Sequence, residues 1–231
     1  MKKYFALILL AALATATASA RSSRAARSGS TSTGGRSIHA LGFAVPLQWQ
    51  TWENDADIMD LSAAGFNFMY HHLDIRPSRF STFMDVQLGY TSFTIDEIDN
   101  WDIDIDTQDI FGSLSGFNTR YVVGIGGAPV VADNFTLAVH GTFGVHLAYV
   151  TGSSTYIEDS GVFGFWTTVG ASLDAAWRIT NRIGVLAGID MYTNLYGIGA
   201  FWFEDDSYSE TFYINPGNFN VDFRVGIAFI Y

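Results

Sequence analysis

From Phe219 to Tyr231 every odd position is apolar (Phe219, Val221, Phe223, Val225, Ile227, Phe229, Tyr231), while the even positions carry Asn220, Asp222, Arg224, Gly226 and Ala228. Strict alternation of this kind is the signature of a β-strand with one face in an apolar medium and the other against polar groups. The pattern recurs over 163–179, where Phe163, Phe165, Val169, Leu173 and Trp177 alternate with Gly164, Thr168, Ser172, Asp174 and Arg178. It recurs again over 135–149, where Leu137, Val139, Phe143, Val145 and Leu147 alternate with Thr136, His140, Thr142, Gly144 and His146. Residues 134–157 hold no formal charge, so a transmembrane helix is the rival for this stretch. A helix facing lipid does not sort its polar residues onto every second position, and the Gly, Thr and β-branched content favours a strand.

Eight segments of this type are predicted, at 38–49, 62–75, 79–94, 110–126, 135–150, 162–179, 183–203 and 218–231. The second is the least regular: Phe66, Phe68 and Tyr70 alternate cleanly, but His71, His72 and Asp74 blur the pattern. The connections alternate in length. Arg76-Pro77-Ser78, Gly127 to Asn134 and Thr180-Asn181-Arg182 are short, whereas the other four are long and polar. Open strand edges cannot sit in lipid, so the strands must close on themselves. The expected fold is an all-β antiparallel transmembrane barrel of eight strands, with short turns on the periplasmic side, where both termini lie, and long loops outside. Aromatic residues gather near the two expected interfaces: Trp49, Tyr90, Phe93, Tyr149, Phe165, Phe201 and Phe203 at the outer level, and Phe80, Phe135, Trp177, Phe229 and Tyr231 at the periplasmic one.

The N-terminus supports export. Met1-Lys2-Lys3 precedes an apolar run from Tyr4 to Ala14 that ends in Ala18-Ser19-Ala20, so residues 1–20 read as a secretory signal cleaved after Ala20. The apolar run is too short for a membrane-spanning helix. Residues 21–37 have no periodic apolar face and read as a disordered periplasmic tail whose Arg21, Arg24, Arg27 and Arg36 are either solvated or touch acidic lipid or peptidoglycan. The barrel domain is then 38–231, placed in the outer membrane.

Composition narrows the chemistry. The chain has no Cys, which removes disulfides, thiol catalysis, Cys-based metal sites and a lipid-modified N-terminus. Both lysines lie in the signal, so ten arginines face 23 acidic residues beyond it, an imbalance that argues against nucleic acid as a partner. The acidic residues concentrate in the long connections, at 53–60, 96–109, 158–159 and 204–210, with no Lys or Arg among them. Two readings stay open: a rim that attracts Ca²⁺ or Mg²⁺, or loops charged for solubility. Asp102-Ile-Asp104-Ile-Asp106-Thr-Gln-Asp109 begins like a calcium loop but has Thr107 where that loop needs Gly and Ser113 where it needs Glu. Weak divalent-cation binding by Asp102, Asp104, Asp106 and Asp109 is the expectation, without an EF-hand and without any other cofactor.

The inward faces supply a second constellation. Counted from the periplasmic ends, Asp85, Arg120, His140, Asp174, Asp190, Asp222 and Arg224 all fall five to nine residues in, so they are expected to meet near mid-lumen. An eight-stranded barrel has an interior just wide enough for side chains, and charges buried there must pair. The two readings are a polar plug that fixes register and closes the pore, and a gate or proton relay. Catalysis has little support: the long loops hold no His, and no triad is expected around His146, Thr142 and Ser172.

The terminal run Phe223-Arg-Val-Gly-Ile-Ala-Phe229-Ile-Tyr231 resembles the C-terminal signal that the barrel-assembly machinery recognises in outer-membrane barrels. Over 38–231 the outline is similar to the small barrels of the OmpA, OmpX and OmpW type, or to uncharacterised spirochaetal barrel families. The resemblance implies outer-membrane lipid and the assembly machinery as partners, with a host or cell-surface ligand at the loops. The acidic loops and the lack of a catalytic constellation make a non-enzymatic surface barrel with a structural, interaction or adhesion role the leading expectation. The alternatives are a narrow transport barrel for small apolar molecules and, third, a lipid-modifying barrel enzyme.

Overall fold

The computed structural model describes residues 35–53, 58–99, 114–152, 160–203, 209–214, 216 and 218–231. Nine strands run through them: β1 (Arg36–Glu53), β2 (Ile58–Ile75), β3 (Phe80–Asp99), β4 (Leu114–Val131), β5 (Phe135–Gly152), β6 (Ser160–Arg178), β7 (Ile183–Phe203), β8 (Ser209–Ile214) and β9 (Phe219–Ile230). Each pairs antiparallel with its neighbour in sequence through β8. β9 fills the remaining gap between β7 (Ile183↔Phe229) and β1 (Ile38↔Ile230). β8 continues the same wall higher up, between β7 and the end of β1 (Trp52↔Ile214). The ring therefore has eight positions, the last shared by β8 and β9, and every strand position has a partner on both sides.

The short turns explain one end. Arg76 N donates to Phe80 O and Arg79 N to Arg76 O, with Arg79 in the left-handed region (φ 64°). The Arg79 guanidinium donates to Pro129 O near the end of the β4 strand at 2.9 Å. The β6–β7 turn closes through Thr180, whose hydroxyl accepts from Ile183 N at 3.1 Å.

Three edges depart from expectation. β1 starts at Arg36, so Arg36 and Ser37 belong to the barrel and not to the tail; the Arg36 guanidinium reaches the Thr136 hydroxyl at 2.5 Å. β4 runs on to Val131, past the expected end at 126, because a bulge between Gly127 and Val130 absorbs Pro129, which cannot donate to a ladder. At the other end the strands continue well beyond the expected bilayer span, so acidic residues such as Glu53 and Asp60 sit on strand and not in loop.

Outward positions form the apolar belt. Leu41, Phe43, Phe66, Phe68, Phe223, Val225 and Ile227 are all between 41% and 65% exposed, and Phe43 stacks on Phe66 across the β1–β2 pair. An apolar surface this continuous around a closed barrel is one that lipid covers. Trp49, Tyr90, Tyr149, Trp177 and Tyr231 stand outward as the girdles require. Phe93 does not: it is 1% exposed and points inward, because it shares the odd parity of Asp85, Gln87 and Thr91 on β3. A true reversal of parity occurs on β7, where Thr168 pairs Asn194 but Thr167 pairs Tyr196. Leu195 is the extra residue; beyond it the inward positions change from even to odd, at Gly197 and Gly199.

Candidate functional site: the charged layer of the lumen

The interior is stacked in three layers. Near the short turns Ile38, Leu73, Ile75, Phe83 and Leu186 pack as an apolar floor. Near the long loops Trp52, Phe93, Leu114, Trp166, Phe212 and Ile214 pack as an apolar cap. Gly199 and Gly164 face that cap, and the missing side chains make room for the indole rings: a Cβ on Gly199 would stand 2.2 Å from the Trp52 ring.

Between floor and cap lies a buried charged layer, and all seven residues expected there are in it. Arg224 on β9 is within 2.9 Å of Asp174 on β6, forms an ion pair with Asp190 on β7 at 2.9 Å outside hydrogen-bond alignment, and lies 3.5 Å from Asp85 on β3. Its guanidinium also donates to Ser172 at 2.6 Å. Arg120 on β4 donates to Asp190 at 2.8 Å and to Asp222 on β9 in a very close contact. Asp190 thus joins the two guanidinium groups. Gly188 leaves space for the fork of Arg224, since a Cβ there would stand 2.6 Å from Asp174 Oδ1.

Residues absent from the expected set complete the layer. His71 Nδ1 meets Asp85 at 3.1 Å and its Nε2 faces Asp174 at 3.8 Å. His146 Nε2 accepts from Arg120 Nε at 2.8 Å, which fixes it as the neutral Nδ1–H tautomer, because a guanidinium nitrogen only donates. Tyr192 lies under the Arg120 guanidinium, 4.2 Å from carbon to ring centre, and donates its hydroxyl to Asp222 at 3.1 Å. From the cap, Trp52 Nε1 donates to Gln50, Gln50 to Gln48, and Gln48 to Tyr192, so one chain of hydrogen bonds links the cap to Asp222. Parity along β2 and β7 would have found His71 and Tyr192; the blurred pattern at His71-His72 hid the first, and aromatic character the second.

Ser81, His140 and Asp174 share the residue types of an acyl-transfer triad. Ser81 Oγ is 2.8 Å from His140 Nε2, and His140 Nδ1 is 3.5 Å from Asp174 Oδ2 without hydrogen-bond alignment. All three are at most 1% exposed and lie between floor and cap. Around His146, Thr142 and Ser172, the His146 partner is Arg120, and Ser172 is committed to Asp174 and Arg224. Asp102, Asp104, Asp106 and Asp109 lie outside the described residues. Among the described residues no three His, Asp or Glu side chains gather in metal-binding geometry.

No protein-family model matches the chain, and no curated protein matches it in sequence. Solved structures do match in fold. A major outer membrane protein from Thermus thermophilus superposes with a TM-score of 0.54 at 9% identity, covering 86% of this chain and 100% of that one. The outer membrane protein OprG from Pseudomonas aeruginosa gives 0.53 at 5% identity, covering 86% and 96%. The fold is that of the small outer-membrane β-barrels. At these identities the likeness concerns the backbone alone, and the charged layer of this barrel rests on its own residues.

Proposed function

We propose that this outer-membrane barrel is a non-enzymatic surface protein, with a lumen that is a structural plug and long acidic loops that do the work. The observation that carries the reading is the three-layered interior. Two apolar layers enclose a layer of paired charges, and a barrel of eight positions has no width to spare for a permeant molecule. The buried Ser81–His140–Asp174 group supports the non-enzymatic part. In this reading the signal is cleaved after Ala20 and the C-terminal strand addresses the chain to the barrel-assembly machinery. The loops then meet divalent cations, Ca²⁺ or Mg²⁺ at Asp102, Asp104, Asp106 and Asp109 among them, and a host or cell-surface ligand.

The test is planar-bilayer recording of the refolded protein. The reading expects no stable conductance steps. Reproducible steps, or uptake of small apolar molecules that depends on the barrel, would replace it with the transport alternative.

A further inference from the structure

The outer wall carries a polar cluster that the lumen does not use. His39 on β1 and His72 on β2 are direct cross-strand partners, and both side chains point away from the lumen, three positions from the short-turn ends of their strands. Residues directly opposite on one face of a sheet hold their Cβ atoms about 4.5–5.5 Å apart, close enough for two imidazoles to share one point in space. Here His39 Nδ1 is 3.1 Å from His72 Nδ1 and 3.0 Å from the Tyr70 hydroxyl, two residues along β2. The other nitrogen of His39, Nε2, faces the Ser37 hydroxyl at 3.4 Å. With Nε2–H donating to Ser37, the Nδ1 lone pair of His39 is the acceptor, and two groups converge on it. An imidazole lone pair accepts one hydrogen bond well.

We propose that His39 and His72, with Tyr70 as third donor, bind a divalent transition-metal ion on the outer wall near the short-turn rim. Imidazole suits Zn²⁺, Cu²⁺ and Ni²⁺. Neighbouring donors on an ion with bonds of about 2.0–2.1 Å lie about 2.9–3.4 Å apart, and the separations of His39 Nδ1 from His72 Nδ1 and from the Tyr70 hydroxyl already fall in that range. The two rings stand at 83°, so in the bound form one of them turns about its χ2 to present its lone pair. Ser37 orients His39 through its far nitrogen, as outer partners of metal-bound histidines do. His72 is 9% exposed, His39 and Tyr70 are half-buried, and the remaining coordination positions go to water.

The experiment uses the untagged full chain folded in detergent, with millimolar Ca²⁺ present to occupy loop carboxylates. Cu²⁺ is added at one equivalent and its electron paramagnetic resonance spectrum read for nitrogen hyperfine coupling, while Zn²⁺ affinity is measured by calorimetry. Two coupled imidazole nitrogens are expected in the parent. Zn²⁺ affinity should fall at least tenfold in His39→Phe and in His72→Phe, and less in Tyr70→Phe, with each variant checked for the folded-barrel shift on an unheated gel. A parent spectrum without two nitrogen ligands overturns the site, and that outcome needs no variant to fold. So does a folded His72→Phe protein that binds Zn²⁺ as the parent does.

Discussion

Asp190 on β7 and Asp222 on β9 are direct cross-strand partners, both fully buried, and a single guanidinium, that of Arg120 from β4, reaches both. Like charges in directly opposed positions repel. Arg120 offsets that repulsion from between the carboxylates, with Arg224 as a second partner of Asp190, so Arg120 holds the β7–β9 seam as well as the centre of the lumen.

Replacing Arg120 with Ala leaves Asp222 without an ion-pair partner and Asp190 with Arg224 alone, and should lower stability by about 3–5 kcal/mol. Adding Asp222→Asn removes one of the charges, so the double variant should recover part of the loss. Urea unfolding in lipid reads both. An unchanged midpoint in Arg120→Ala would show that the guanidinium does not secure the seam.

Gly188→Ala places a methyl 2.6 Å from Asp174 Oδ1 and 3.0 Å from Arg224, in the middle of the ion-pair layer. Overpacking of that kind costs about 1–3 kcal/mol. Gly141→Ala is the control: it points outward, and its nearest atom is Ile125 O at 4.0 Å. Equal melting behaviour of the two variants would argue against a tightly packed layer.

Phe223 faces lipid, and Phe223→Arg should cost about 2–4 kcal/mol near the bilayer midplane. Alternation alone makes Asn220→Ser, on the lumen side, nearly silent. The structure revises that: Asn220 Oδ1 accepts from Trp49 N at 3.0 Å and its Nδ2 donates to Asn194 at 3.3 Å, so β9 is tied to β1 and β7 there. Its loss should cost about 1 kcal/mol for each hydrogen bond broken. Refolding yield and urea midpoint measure both, and an Asn220→Ser protein matching the parent would remove the tie.

The long connections contain no Lys or Arg, whereas Arg76, Arg79 and Arg182 sit at the short turns. On intact cells proteinase K should cut within the long acidic connections, at 96–109 or 204–210, and trypsin should leave the barrel whole. Trypsin fragments from unpermeabilised cells would reverse the orientation.

The barrel was legible along the chain. A two-residue period is a local property of the strand, so Phe219 to Tyr231 sorts its own faces, and tight turns such as Arg76-Pro77-Ser78 show themselves through residues that restrict φ. Charge and depth counted along each strand were also enough to bring Asp85, Arg120, His140, Asp174, Asp190, Asp222 and Arg224 to one level. Which cation serves which acid came from the closed ring, because the partner across the lumen depends on closure and stagger, which no single strand encodes. It decided that Asp190 joins Arg120 to Arg224, and that His71 lies between Asp85 and Asp174. It also decided where alternation breaks: the extra residues near Pro129 and at Leu195 are absorbed as bulges, and a bulge is a property of the pair of strands. The meeting of His39 with His72 has the same origin, since register between β1 and β2 is fixed by hydrogen bonds across the ring and by nothing within either segment.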